Sequence, residues 1–163
     1  MRSTVSRVYL FGLIAIGLMG LPNVALTQGT NPQVGTWKVN LAKSTYSPGP
    51  APKSGTTKIV AAGQGVTLTV DAVDADGTVR HYTYTANYDG KDAQITGNNA
   101  NGDTVALTRV NPTTVQAITK KAGKITVTQT SVVSADGKTR TVTTTGTDAQ
   151  GRKVNNVSLY EKQ

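Results

Sequence analysis

The chain has 163 residues, no cysteine, one histidine and a formal net charge of +8. This length accommodates one domain, and the lack of cysteine excludes the disulfide-stapled class of small secreted domains. A single histidine without cysteine also argues against a transition-metal site, so we expect neither a bound metal nor a cofactor.

The N-terminal segment has the pattern of a secretory signal peptide. Arg2 and Arg7 precede an apolar run over residues 8–21, which is too short for a comfortable membrane span. Small residues follow, and we expect cleavage after Thr27 by a bacterial Sec-type route, with the product secreted or periplasmic. An uncleaved N-terminal anchor is the alternative.

The remaining chain is expected to consist of a polar leader, residues 28–33, and one domain, residues 34–163. Removing residues 1–27 leaves 15 Lys and Arg against nine Asp and Glu, a net charge of +6. Because these charges are scattered with few aromatics between them, we expect no nucleic-acid partner. A solvated surface on a monomer is the favoured interpretation, and weak attraction to anionic envelope components is the alternative.

Short Thr- and Val-rich runs separated by X-Gly turns fill the domain. Asp-Gly and Asn-Gly turns are the strongest short-range hairpin signal, and the runs alternate apolar with polar residues, as in Val66 and Leu68 or Ile125 and Val127. The pattern predicts an all-β fold, an antiparallel up-and-down meander barrel of about ten strands. The predicted strands are 34–40, 56–62, 66–73, 78–88, 93–96, 103–110, 113–120, 124–134, 138–147 and 152–161.

One long irregular segment, residues 41–55, interrupts the strand pattern. It contains Pro48, Pro50 and Pro52, which cannot continue a strand or a helix. Residues 41–44 are compatible with a single helical turn. A loop of this length in a compact domain is often a lid or a binding loop, and we place it at the barrel mouth.

The opening Gly35-Thr36-Trp37 and the closing Leu159-Tyr160-Glu161-Lys162 resemble the calycin superfamily, which comprises lipocalins and fatty-acid-binding proteins. In that superfamily a Gly-x-Trp motif lies on the first strand and the Trp packs across the closed end of the barrel. The match gives Gly35 and Trp37 this structural role, and ten strands favour the fatty-acid-binding type. Residues 35–50 further resemble small secreted bacterial lipocalin-like proteins.

Two departures from the fatty-acid-binding proteins bear on function. Their helical lid is replaced here by the Pro-rich loop. Their Arg-x-Tyr pair on the last strand, which holds a carboxylate, corresponds to Ser158 and Tyr160, so only the tyrosine carries over. The resemblance therefore implies a ligand-binding barrel without the family's own carboxylate site.

Five residues are candidates for polar contacts with a ligand: Tyr82, Tyr84, Arg109, Arg140 and Tyr160. Arg109 shares a predicted inward face with Val105 and Leu107, or it reaches out from the strand end. Arg140 points inward if a two-residue Asp136-Gly137 turn places it opposite Val133. It points outward if a three-residue turn or a bulge shifts the register by one. We expect the outward orientation, because arginine is rarely buried without a partner.

No catalytic constellation is visible in the sequence. His81 lies on the strand face opposite Tyr82, with no carboxylate on its own strand, and Asp71, Asp74 and Asp76 fit a hairpin turn better than a calcium loop. We therefore expect a protein that is not an enzyme. The favoured function is binding of a small, largely apolar molecule inside the barrel. The alternative is an envelope or extracellular structural or protein-interaction module with a filled barrel.

Overall fold

The computed structural model describes residues 31–163. The predicted signal peptide and residues 28–30 lie outside this range. Within it all regular structure is β, in eleven strands: β1 Gly35–Thr45, β2 Ser54–Ala62, β3 Gly65–Val73, β4 Val79–Asn87, β5 Asp89–Gln94, β6 Thr96–Gly97, β7 Thr104–Asn111, β8 Thr114–Lys121, β9 Lys124–Val133, β10 Thr139–Thr147 and β11 Lys153–Lys162.

The strands form one antiparallel sheet with the order β5-β7-β8-β9-β10-β11-β1-β2-β3-β4-β6. From β1 to β4 and from β7 to β11, each strand pairs with the next one in the chain, and β1 also pairs with β11. Strands β5 and β6 are the two halves of one bent strand: β5 pairs with β7, and after Ile95 the chain crosses so that β6 pairs with β4. The barrel wall thus has the ten predicted positions, and the fold class is confirmed.

The first strand is longer than predicted. It extends to Thr45, so the irregular segment shrinks to residues 46–53 and residues 41–44 do not form a helical turn. A bulge explains the difference, because the register against β11 shifts between Asn40 and Thr45. The Ser44 hydroxyl donates to the Asn40 carbonyl at 2.7 Å and accepts from the Leu159 amide at 3.0 Å, which ties the bulge to β11.

Strand alternation separates a lumen face from a solvent face. The buried apolar side chains on the lumen face include Ile59, Val66, Leu68, Val105, Leu107, Val115, Val127 and Val133. Ile125 departs from the predicted pattern, since it is 62% exposed although Val127 is buried. The register of β8 against β9 shifts between Thr119 and Lys120, and this turns the start of β9 out of the lumen.

Trp37 lies near the start of β1, at the end of the barrel opposite the Pro-rich loop. It is fully buried, its indole Nε1 donates to the Gln33 carbonyl at 2.9 Å, and the Lys162 ammonium lies 5.1 Å from its ring centre. Gly35 permits this arrangement in two ways. Its φ is +145°, and an added Cβ would lie 2.6 Å from Lys162 Cε.

We therefore expect Gly35→Ala to destabilise the barrel more than Gly63→Ala. Backbone strain at Gly35 costs roughly 1–3 kcal/mol, and moving Lys162 off Trp37 loses about 0.5–1 kcal/mol more. Gly63, at φ +56° with no neighbour within 4 Å, carries only the backbone cost, roughly 1–2 kcal/mol. Urea denaturation of both variants measures the difference, and equal losses would show that the Lys162 contact is dispensable.

Candidate ligand-binding cavity

The barrel encloses a cavity of about 460 Å³. Its floor lies above Gln33, and its walls carry the lumen side chains of nine of the eleven strands. The mouth is bordered by the Pro-rich loop and by the turns that join β3 to β4 and β10 to β11. This volume falls within the usual range of small-molecule sites, about 300–1,000 Å³.

Five tyrosines line the cavity. Tyr82 and Tyr84 alternate inward on β4, Tyr160 lies on β11, Tyr46 comes from the Pro-rich loop, and Tyr88 follows β4 near the floor. Each pairs an apolar ring with a hydroxyl that donates or accepts a hydrogen bond. Together with the aliphatic side chains they form a wall that is both apolar and polar. Tyr82, Tyr84 and Tyr160 were among the predicted ligand residues.

Burial changes the acidity of these phenols. Loss of hydration raises the pKa of Tyr82 to about 12, against a smaller opposing effect of the positive charge on Arg80. The same cause raises the pKa of Tyr84 and of Tyr160, and the charge of Arg140 opposes it in both. The phenols are therefore neutral hydrogen-bond donors at any physiological pH.

Arg140 lies inside the barrel, which corrects the prediction that it points to solvent. The Ser134 amide donates to the Thr139 carbonyl at 2.9 Å, so four residues, 135–138, separate this pair and the register places Val133 opposite Arg140. The side chain is 8% exposed and its guanidinium lies 5.7 Å from the ring centre of Tyr160. The usual preference of arginine for solvent is overcome here by local hydrogen-bond partners.

Those partners hold one edge of the guanidinium. Its Nε donates to Ser131 Oγ at 2.6 Å and to Gln33 Oε1 at 3.2 Å. The two terminal nitrogens make no hydrogen bond to any residue between 31 and 163, and Arg140 is one of the residues that line the cavity. No Asp or Glu of that range forms an ion pair with Arg140. Loss of hydration on burial lowers the pKa of the Arg140 guanidinium.

Gln33 is the functional residue that sequence reasoning missed. The sequence suggested only a polar leader, yet Gln33 is 3% exposed beneath the cavity. Its only local signal is its position four residues before Trp37, whose indole Nε1 binds its carbonyl. The side-chain partners lie about 100 residues further along the chain, and no local pattern identifies them.

Arg109 does not line the cavity. It lies near the end of β7, half-buried, with its guanidinium carbon 4.1 Å from the ring centre of Tyr88 and Nη1 3.4 Å from the Pro112 carbonyl. The predicted direct contact with a ligand does not fit this position, because the Tyr88 ring occupies the face of the guanidinium. Arg109 instead stabilises Tyr88, which does line the floor.

Two ion pairs at the mouth were also missed. Arg80 Nη2 lies 2.6 Å from Asp74 Oδ1, and Arg152 Nη2 lies 2.8 Å from Asp148 Oδ2. Both arginines therefore have a carboxylate beside them, in contrast to Arg140. Asp76 also lines the mouth, so the three arginines and three aspartates around the cavity balance in number, and Arg140 is the arginine among them that has no carboxylate beside it within residues 31–163.

His81 lies on the outer face of β4, away from the cavity. It pairs with Asp71 of the neighbouring strand, with 2.6 Å between Nδ1 and Oδ1, and both side chains are largely exposed. Asp74 and Gly77 close the turn that joins β3 to β4, as predicted for this Asp-rich segment. Residues 31–163 contain no group of three or more His, Asp or Glu side chains placed to hold a metal ion.

Over the same residues, no helix has the length and apolar character needed to cross a membrane.

No protein-family model matches the chain, and no curated protein matches it. Among solved structures, one similar chain is the zebrafish ileal bile acid-binding protein complexed with cholic acid. The two are 13% identical with a TM-score of 0.46, over 81% of this chain and 99% of that one. The barrel assignment rests on the strand pairing described above.

The buried phenols predict a loss of stability at alkaline pH. Tyr82 titrates near 10 when unfolded and near 12 when folded, so its contribution is complete below pH 10 and disappears as the pH rises towards 12. Tyr82→Phe should therefore weaken the pH dependence of the free energy of unfolding between pH 10 and 12. Thermal unfolding at several pH values measures this, and an unchanged dependence would contradict the loss of hydration at the half-buried Tyr82.

Proposed function

We propose that this protein is an exported barrel that binds a small, largely apolar molecule with one acidic group in the cavity between Gln33 and the Pro-rich loop. The observation that carries the proposal is the guanidinium of Arg140, which faces that cavity without a carboxylate partner. Export is proposed from the signal-like N-terminal sequence.

The acidic group follows from the energetics of a buried charge. Arginine stays protonated in proteins, so burial leaves a cation that has lost hydration. Neutral acceptors on Nε satisfy only part of its hydrogen-bonding capacity. An anionic oxygen pair placed against the terminal nitrogens supplies both the countercharge and the bidentate geometry that a guanidinium prefers.

The largely apolar body of the ligand follows from the rest of the wall. Aliphatic side chains from β2, β3, β7, β8 and β9 line the cavity, and the ring faces of the tyrosines add to them. A carboxylate, sulfonate or phosphate ester on an aliphatic or aromatic skeleton fits this distribution. The phenols of Tyr82, Tyr84 and Tyr160 are available as further donors.

The filled-barrel alternative predicts an interior occupied by side chains. A cavity of about 460 Å³ does not match that expectation, since it is far larger than the voids of ordinary packing. A purely structural role also gives no reason to bury an unpaired arginine, which costs stability. The binding proposal accounts for both features.

A matched pair of fluorescent probes tests the proposal. Anilinonaphthalene sulfonate is an amphipathic anion, and N-phenylnaphthylamine is the same skeleton without the sulfonate. We expect the wild-type protein to bind both and Arg140→Met to bind the sulfonate roughly 10- to 100-fold more weakly. The reason is the loss of charge-assisted hydrogen bonds that contribute about 1.5–3 kcal/mol. Binding of the neutral probe should change little.

Arg109→Met is the matched control, because it removes an arginine that stacks on Tyr88 outside the cavity. It should retain most of the sulfonate affinity. If both variants bound the sulfonate equally weakly, the loss would follow from the lower net charge of the protein, and the specific role of Arg140 would be refuted. If the wild-type protein bound neither probe, the ligand-binding proposal itself would be wrong.

A further inference from the structure

The segment before β1 is built into the cavity floor through Gln33. The Gln33 amide nitrogen donates to the Thr113 carbonyl at 2.9 Å, and its amide oxygen accepts from Ser131 Oγ at 3.0 Å and from Arg140 Nε at 3.2 Å. Because the nitrogen faces a carbonyl and the oxygen faces a guanidinium, only one orientation of the amide satisfies all three contacts.

The backbone around Gln33 is anchored on both sides. The Gln33 carbonyl accepts from the Trp37 indole at 2.9 Å, and the Asn31 side chain donates to the Tyr88 hydroxyl at 3.0 Å. The Val34 amide closes a turn on the Asn31 carbonyl at 3.0 Å. The amide oxygen therefore reaches Arg140 from a fixed point.

We propose that Gln33 is a positioning and specificity-determining residue for the cavity: its neutral amide orients the Arg140 guanidinium and leaves the charge free for an acidic ligand. This inference rests on the proposed function. Gln33 and Ser131 take up Nε, and no hydrogen bond within residues 31–163 occupies the two terminal nitrogens of this cavity-lining arginine.

The choice of an amide over a carboxylate is the central point. A glutamate of the same length at this position would lie within hydrogen-bond reach of Arg140 Nε and would neutralise it as an internal ion pair. The terminal nitrogens would then face the ligand with little net charge. The identity of residue 33, and not only the presence of Arg140, thus decides whether the cavity selects acids.

Gln33→Glu tests this directly, with Gln129→Glu as the control. Gln129 also lines the cavity, but its amide contacts Thr144 Oγ1 at 3.3 Å and not Arg140, so it adds the same charge at a different place. We expect Gln33→Glu to weaken binding of anilinonaphthalene sulfonate roughly tenfold or more, and Gln129→Glu to weaken it clearly less. Binding of N-phenylnaphthylamine should be similar in wild type and Gln33→Glu.

Gln33→Met is a second variant in case the glutamate disrupts folding against the Thr113 carbonyl, and thermal unfolding reports on this for each variant. Methionine keeps the volume but cannot orient the guanidinium, so sulfonate affinity should fall several-fold while the neutral probe binds as before. Equal sulfonate losses in Gln33→Glu and Gln129→Glu, or parallel losses of both probes in Gln33→Met, would overturn the inference. If Arg140→Met leaves sulfonate binding intact, the proposed function fails instead.

Discussion

A buried guanidinium without a carboxylate is the constraint on which the rest of this structure depends. Moving a cation out of water is expensive, and the two acceptors of Arg140 Nε offset only part of that cost. The other two arginines that border the cavity, Arg80 and Arg152, each have an aspartate beside them. Arg140 is therefore a buried cation with no carboxylate beside it among residues 31–163, and the proposed binding of an anionic group would supply the missing countercharge.

The architecture makes this arrangement possible. Ten wall positions enclose a lumen that Val, Ala and Thr side chains do not fill, and the bent strand formed by β5 and β6 closes the wall between β4 and β7. Trp37 is buried near the start of β1, at the end of the barrel opposite the Pro-rich loop, and its indole donates to the carbonyl of Gln33, which lines the cavity there. Gln33, the last residue of the predicted polar leader, is thus part of the cavity lining.

Local patterns in the sequence predicted the strands, the turns and the lumen face of β4. Alternation placed Tyr82 and Tyr84 together, and the pairing of Val133 with Arg140 was one of the two registers considered, although a four-residue loop produces it and not the two-residue turn that was expected. The orientation expected for Arg140 was wrong because it relied on an average preference for solvent. That preference is reversed by contacts with Gln33, 107 residues away, which no local period encodes. The extension of β1 was missed for a similar reason, since the bulge depends on the distant strand β11.

A crystal structure of the protein with anilinonaphthalene sulfonate bound would test the central claim most directly. The account predicts the aromatic skeleton inside the cavity and the sulfonate oxygens within hydrogen-bond distance of Arg140 Nη1 and Nη2, with the contact between Gln33 Oε1 and Nε retained. A probe bound on the outer surface, or one inside the barrel with its sulfonate at the mouth beside Arg80 or Arg152, would contradict it.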